Sequence, residues 1–244
     1  QPLDALFGTN EETNNGICEI EIGSLHPFPN HPFQVKDDKK MEELSESITQ
    51  YGVLVPGIVR LREAGGYELV AGHRRKRACE LAGLEKMPVI IKDLTDDEAT
   101  VIMVDSNIQR EELLISEKAF AYKMKLEAMK HQGKNLTSDP MEQKQTSREV
   151  LAEKVGESAS NIQRFIRLTY LIPELLELVD EKRIALRPAV ELSYISEDNQ
   201  EILYDIFKYD EATPTLSQAQ ILRKLDEKGE LTEDKLEDIM RAEK

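Results

Sequence analysis

The chain has 244 residues, 40% of them hydrophobic and 32% charged, with no tryptophan and a net charge of −15 at pH 7. That length supports one large or two small domains with a buried core, and no apolar run approaches the ~20 residues of a membrane-spanning helix. The acidic balance excludes nonspecific polyanion binding by the whole molecule, although local basic patches decide specific binding. Much of the acidity lies near the end: residues 196–244 hold seven Lys/Arg against fourteen Asp/Glu, whereas residues 147–190 hold seven of each. Cys18 and Cys79 have no partners at metal-ligand spacing and read as two buried free thiols of a reducing cytoplasm. The N-terminus has no signal-peptide pattern, and Gln1 in place of Met reads as a processed or trimmed start.

Residues 1–16 are polar and Asn/Glu-rich, which predicts a disordered leader. Residues 18–22 alternate like a strand, and the proline-punctuated run from His26 to Phe33 reads as a loop. Met41, Leu44, Ile48 and Tyr51 recur at helical spacing and are closed by Gly52. Strands are expected at 57–61 and 67–70 around a turn at 63–66, then a helix at 74–82 stopped by Gly83, then a strand at 87–91. Strands alternating with helices in this way predict a small α/β domain.

The stretch from Gly72 to Ala78 is the most informative. A strand runs into Gly72, and the next four cations and a histidine (His73, Arg74, Arg75, Lys76, Arg77) fall in the first turns of a helix. Glycine lets backbone approach a ligand, and a helix N-terminus presents unpaired N–H groups with a positive dipole end. Arginines there oppose the macrodipole unless an anion is bound, so the local physics points to phosphate. The competing reading is a solvated basic helix, since Arg74, Arg75 and Arg77 cannot share one face. The four histidines, His26, His31, His73 and His131, offer no zinc spacing. Phosphate-loop, nucleophile-elbow and kinase signatures are absent.

Beyond Thr95 the strands stop. Helices are expected at 96–106 and 116–130, flanking a polar segment at 105–112. That segment reads either as helix capping or as part of a magnesium site through Asn107. Residues 131–146 contain Gly133 and Pro140 and read as a hinge. Residues 147–168 have helix-turn-helix form: Val150, Leu151 and Val155 pack the first helix, Gly156 turns, Ser158 caps the second, and Ile162, Phe165 and Ile166 face inward. Ser158, Ser160, Asn161, Gln163, Arg164 and Arg167 are left facing outward, and Asn, Gln and Arg are the side chains that make bidentate contacts in a major groove. A plain helical hairpin with a solvated face is the alternative. Further helix breaks are expected at Pro173, Pro188 and Pro214, and apolar positions from Leu216 to Met240 suffice for two short helices.

These motifs, in this order, resemble the ParB/RepB family of chromosome- and plasmid-partition proteins over about residues 18–192. Pro32-Phe-Gln-Val-Lys36 resembles the family's Pro-Tyr-Gln-Pro-Arg box, and Tyr51 to Arg60 its Gly-hydrophobic-Pro strand box. Gly72 to Ala78 resembles Gly-Glu-Arg-Arg-x-Arg-Ala, and Ser106-Asn-Ile-Gln-Arg-Glu111 resembles Glu-Asn-x-Gln-Arg-Glu. The resemblance implies an α+β chain: a nucleotide-binding domain at 17–130, a hinge at 131–146, an all-helical DNA-binding domain at 147–212 and a helical segment at 213–244. It also implies a homodimeric clamp that binds CTP with magnesium, encircles double-stranded DNA at a palindromic parS site and works with a ParA-type ATPase. Such a clamp is cytoplasmic, on nucleoid or plasmid, with no membrane partner. Carried over, Gly72, Arg74 and Arg75 would hold phosphates, with His73 in the same box. Gln34 and Lys36 would reach the terminal phosphate, and Gly52 and Val53 would lie by the cytosine. Asn107 would help hold magnesium, beside Ser106 and supported by Arg110 and Glu111.

The chain departs from the pattern at His73 and Ser106, where the family carries glutamates linked to metal binding and hydrolysis. Nucleotide binding with slow or absent hydrolysis is therefore expected, with Asp105 as a substitute carboxylate for Ser106; no residue is assigned a catalytic role. Ala159 stands where an arginine usually follows the capping serine, which predicts a DNA site different from the common parS. The alternatives are a transcriptional or nucleoid-occlusion regulator, and a nuclease of related fold, against which the missing carboxylates count.

Overall fold

A computed structural model describes residues 16–110, 112–135, 146–210 and 213–241. The expected leader up to residue 15, hinge residues 136–145 and Glu111 lie outside the described residues. The chain divides into two compact units, residues 1–106 and 107–244.

The first unit runs β1 (Ile17–Glu21), a 3-10 turn, β2 (Leu25–Pro27), α1 (Lys39–Tyr51), β3 (Gly57–Leu61), β4 (Tyr67–Ala71), α2 (His73–Leu81), β5 (Lys86–Ile91) and α3 (Asp96–Asp105). The five strands form one mixed sheet in the order β1-β5-β3-β4-β2, in which β1 runs antiparallel to β5, and β3 parallel to β5 and antiparallel to β4. Strand β2 falls inside the stretch read as loop. It pairs parallel to β4, with Pro27 opposite Leu69. A proline is tolerated there because β2 is an edge strand and needs no outer N–H. On one side of the sheet, Met41 and Ile48 of α1 and Ala78 and Cys79 of α2 pack on Val59, Leu69, Met87 and Val89. Helix α3, started by a Thr95–Glu98 capping box, packs on β4 and buries Ala99, Met103 and Val104. Of the two thiols expected to be buried, Cys79 is; Cys18, on the outermost strand, is only half-buried.

The second unit is helical: α4 (Ile115–Asn135), α5 (Ser147–Val155), α6 (Ala159–Leu168), α7 (Pro173–Asp180), α8 (Leu186–Leu192), α9 (Glu197–Asp210), α10 (Leu216–Glu227) and α11 (Glu233–Arg241). Two expectations change here. Helix α4 continues five residues into the segment read as hinge. It packs on α5, α6 and α7, so Ala119, Tyr122 and Leu126 share a core with Phe165. The division between compact units thus falls at residue 106, not 130, because the apolar face of α4 is covered by the helix-turn-helix. Pro173 opens α7 as expected, but Pro188 sits within the first turn of α8, where its missing N–H has no helical acceptor to lose. Helices α10 and α11 bury Ala219, Leu222, Leu236 and Met240 in the same core as α6.

Candidate functional site

The start of α2 is built by close packing. Strand β4 ends at Ala71, and Gly72 takes a left-handed conformation at φ 112°, ahead of the first helical residue. A Cβ at Gly72 would lie 3.3 Å from the Gly57 Cα and 3.4 Å from both the Met87 Cε and the Arg75 guanidinium, so only glycine lets the two backbones approach. No side chain caps the helix and no acid stands in its first turn. The positive end of the dipole is thus not answered by an acid within the helix's own first turn.

The cations around this end are held in defined directions. Arg75 donates from Nη1 to the carbonyls of Val55 (2.5 Å) and Pro56 (2.6 Å), bracing the loop that follows Gly52, and its burial lowers its pKa. Gly52 closes α1 at φ 73°, its N–H donating to Ile48 O, and Val53 packs against the core. Arg74 pairs with Asp38 at 3.3 Å, and Arg77 pairs with Asp37 at 2.5 Å. Those hydrogen bonds hold both carboxyls below the ordinary aspartate range. Asp38 also caps α1, accepting from the Met41 N–H at 2.9 Å. The exposed Gln34 and Lys36 therefore sit on a short segment pinned at one end by buried Phe33 and at the other by two ion pairs to α2.

His73 is half-buried at the start of α2. Its ring lies on that of His31, centroids 3.8 Å apart, and its Nε2 accepts from the Phe28 N–H at 3.4 Å. Burial first, then the neighbouring His31 and Lys76, push its pKa down to about 3, so it is neutral at physiological pH. Ser106 ends α3, donating from Oγ to Met103 O at 2.9 Å, while Asn107 and Arg110 open the second unit, where the Arg110 N–H donates to Asn107 O. Gln34, Lys36, Gly52, Val53, Gly72, His73, Arg74, Arg75 and Ser106 thus belong to one compact unit; Asn107 and Arg110 belong to the other. Among the described residues, no group of three or more His, Cys, Asp or Glu is placed to hold a metal ion.

In the second unit, Gly156 turns the chain between α5 and α6 in a left-handed conformation, φ 71°. Ser158 caps α6, its Oγ accepting from the Asn161 N–H at 3.1 Å. Ile162, Phe165, Ile166 and Leu168 are buried, while Ser160, Gln163 and Arg164 are exposed on the opposite face. Two residues expected to face outward are engaged instead. Asn161 is half-buried and donates from Nδ2 to Glu157 at 2.6 Å. Arg167 turns toward α8, donating to Ser193 O and Oγ, and its guanidinium lies 3.9 Å from the Tyr194 ring centroid and 4.4 Å from that of Tyr170.

Sequence reasoning did not find Asp37 and Asp38 as partners of the α2 arginines, His31 as the partner of His73, or the Arg167–Tyr194 contact. Only the first carried a signal, an Asp pair just before a helix.

A chromosome-partitioning protein Spo0J from Thermus thermophilus is 33% identical over 221 residues, 91% of this chain and 74% of that relative. The ParB N-terminal domain family matches residues 8–108, and the ParB HTH domain family matches residues 137–213. The chain belongs to the ParB family. A nucleoid occlusion protein of Listeria innocua is also 33% identical, over 82% of this chain and 69% of its own length. The solved Pnob8-like ParB-N domain shares the fold at a TM-score of 0.50 and 19% identity, covering 92% of this chain and 98% of that one. No described helix of this ParB chain is long and apolar enough to cross a membrane.

Proposed function

We propose that this ParB chain binds a specific, palindromic double-stranded DNA site through α6 and is gated by CTP at the start of α2, serving chromosome or plasmid segregation as a clamp-forming homodimer in the cytoplasm. The observation that carries the reading is the start of α2: an uncapped helix N-terminus on a glycine where a Cβ would be tight and the backbone strained, flanked by Arg74 and Arg75. Its N–H groups, not capped by any side chain, suit a phosphate chain. Gln34 and Lys36, fixed beside α2, suit the outer phosphate, and choice of CTP over other nucleotides rests on the family boxes.

Magnesium, where present, would neutralise phosphate charge. Asn107 is assigned to magnesium by the family box alone, since it opens the other compact unit. Arg74 and Arg75 orient phosphate oxygens, Gly72 admits them close to backbone, and the neutral His73 holds the Phe28 turn against α2. A half-buried neutral imidazole in place of a carboxylate favours binding of a triphosphate over activation of water, so hydrolysis is slow or absent. Asp105 is the carboxylate left to test for residual turnover.

On DNA, Ser160, Gln163 and Arg164 form the reading face, and Ala159 in place of an arginine shifts the preferred sequence. A nucleoid-occlusion role is the second reading, favoured by relatives of that name standing at the same identity as the partition protein; it differs in the DNA site chosen and in needing no ParA-type ATPase. Thermal melting with each of the four nucleoside triphosphates, with and without magnesium, tests the gate. CTP alone should raise the melting temperature, and a single-turnover assay should show little product. Equal response to all four nucleotides, or to none, contradicts the reading.

A further inference from the structure

A ladder of stacked cations and aromatic rings crosses the helical unit. Lys123 of α4 lies 5.2 Å from the Tyr170 ring, and Arg167 of α6 lies over both Tyr170 and Tyr194. Arg223 of α10 also lies over Tyr194, with the guanidinium 3.7 Å from the ring centroid. Arg223 is itself fixed, pairing with Glu191 of α8 at 3.0 Å and Glu227 of its own helix at 2.7 Å. Arg167 spends its donors on Ser193, a buried neutral residue at the end of α8.

A planar guanidinium stacks on a ring over its whole face, which an ammonium cannot do, so the ladder fixes orientation as well as distance. Tyr194 is contacted by two arginines. Removing Arg223 frees the ring to tilt, and Arg167, the side chain that ties α6 to the end of α8, loses part of the surface that directs it. The matched ParB HTH domain ends at residue 213, before Arg223. We infer that Arg223 is a positioning residue for the recognition helix, acting through Tyr194 and Arg167, so that α10 belongs to the DNA-reading module. This rests on the DNA-binding reading of α6. The plainer role for Arg223, a staple joining α10 to α8 through Glu191, needs only its charge, and that difference is testable.

The full-length protein is first used to select a preferred duplex from a random library; Kd is then measured for that duplex and a scrambled one. Arg223→Ala and Arg223→Lys should each reduce the preference about three- to tenfold. Nonspecific affinity, its salt slope and the melting temperature of Arg223→Lys should stay as in wild type. Tyr194→Phe, which keeps the ring, should retain the preference, and Tyr194→Leu should lose it. Wild-type preference in Arg223→Lys overturns the inference, as does a parallel fall of both affinities with the melting temperature. A wild-type protein that selects no duplex brings down the DNA-binding reading, and this inference with it, before any variant is made.

Discussion

Helices α2 and α6 each follow a glycine turn and carry arginines, yet they begin in opposite ways. Gly72 offers α2 no capping side chain, while Ser158 closes the start of α6 from within. An open helix end suits a phosphate chain; a closed end leaves the flank, here Ser160, Gln163 and Arg164, to contact bases. The same residue types are sorted into two chemistries by what happens at the first turn.

The two turn glycines give the sharpest way to break this contrast. At Gly72 a Cβ meets the Gly57 backbone, whereas at Gly156, also left-handed, it meets nothing within 4 Å. Gly72→Ala should cost about 3 kcal/mol and Gly156→Ala about 1 kcal/mol, read by urea unfolding. Equal costs would remove the case for close approach at α2.

Acid should separate the two units next. Burial depresses His73 from 6.5 to about 3, so the unfolded chain takes up the proton first as pH falls. The stability contributed by the neutral ring is complete above pH 6.5 and is lost progressively toward pH 3. Between pH 7 and pH 5 the loss should be about 2 kcal/mol. Hydrogen exchange at α2 amides should report it in wild type and not in His73→Gln, while α6 amides stay unchanged in both. Loss at α6 alone would point to a different titrating group.

The smallest effect belongs to the cap: Ser158→Ala should cost about 1 kcal/mol and Ser158→Gly a few tenths. Thermal melting of the two variants checks the order, and a neutral Ser158→Ala would mean that the α6 start is closed by other means.

Much of this was legible in the sequence because the signals are local. Hydrophobic spacing located α1, a capping serine located α6, and the run from Gly72 to Arg77 gave the start of α2. Long-range pairing was not legible. Nothing local ties Asp37 to Arg77 or His31 to His73, separations that only the folded sheet closes. Arg167 read as outward because helical phase places it at the edge of the polar face, and the phase cannot tell that Ser193 and Tyr194 wait there. The length of α4 hid its allegiance, since an amphipathic helix does not announce which core it covers.

The division of labour between α2 and α6 is tested most directly by measuring CTP and selected-duplex binding on the same two variants, Gly72→Ala and Arg164→Ala, by titration calorimetry. The account predicts that Gly72→Ala loses CTP affinity by about tenfold or more and keeps its affinity for DNA in the absence of nucleotide. Arg164→Ala should lose DNA affinity by about tenfold or more and keep CTP binding. A single variant that abolishes both, or a Gly72→Ala protein that binds CTP like wild type, would contradict it.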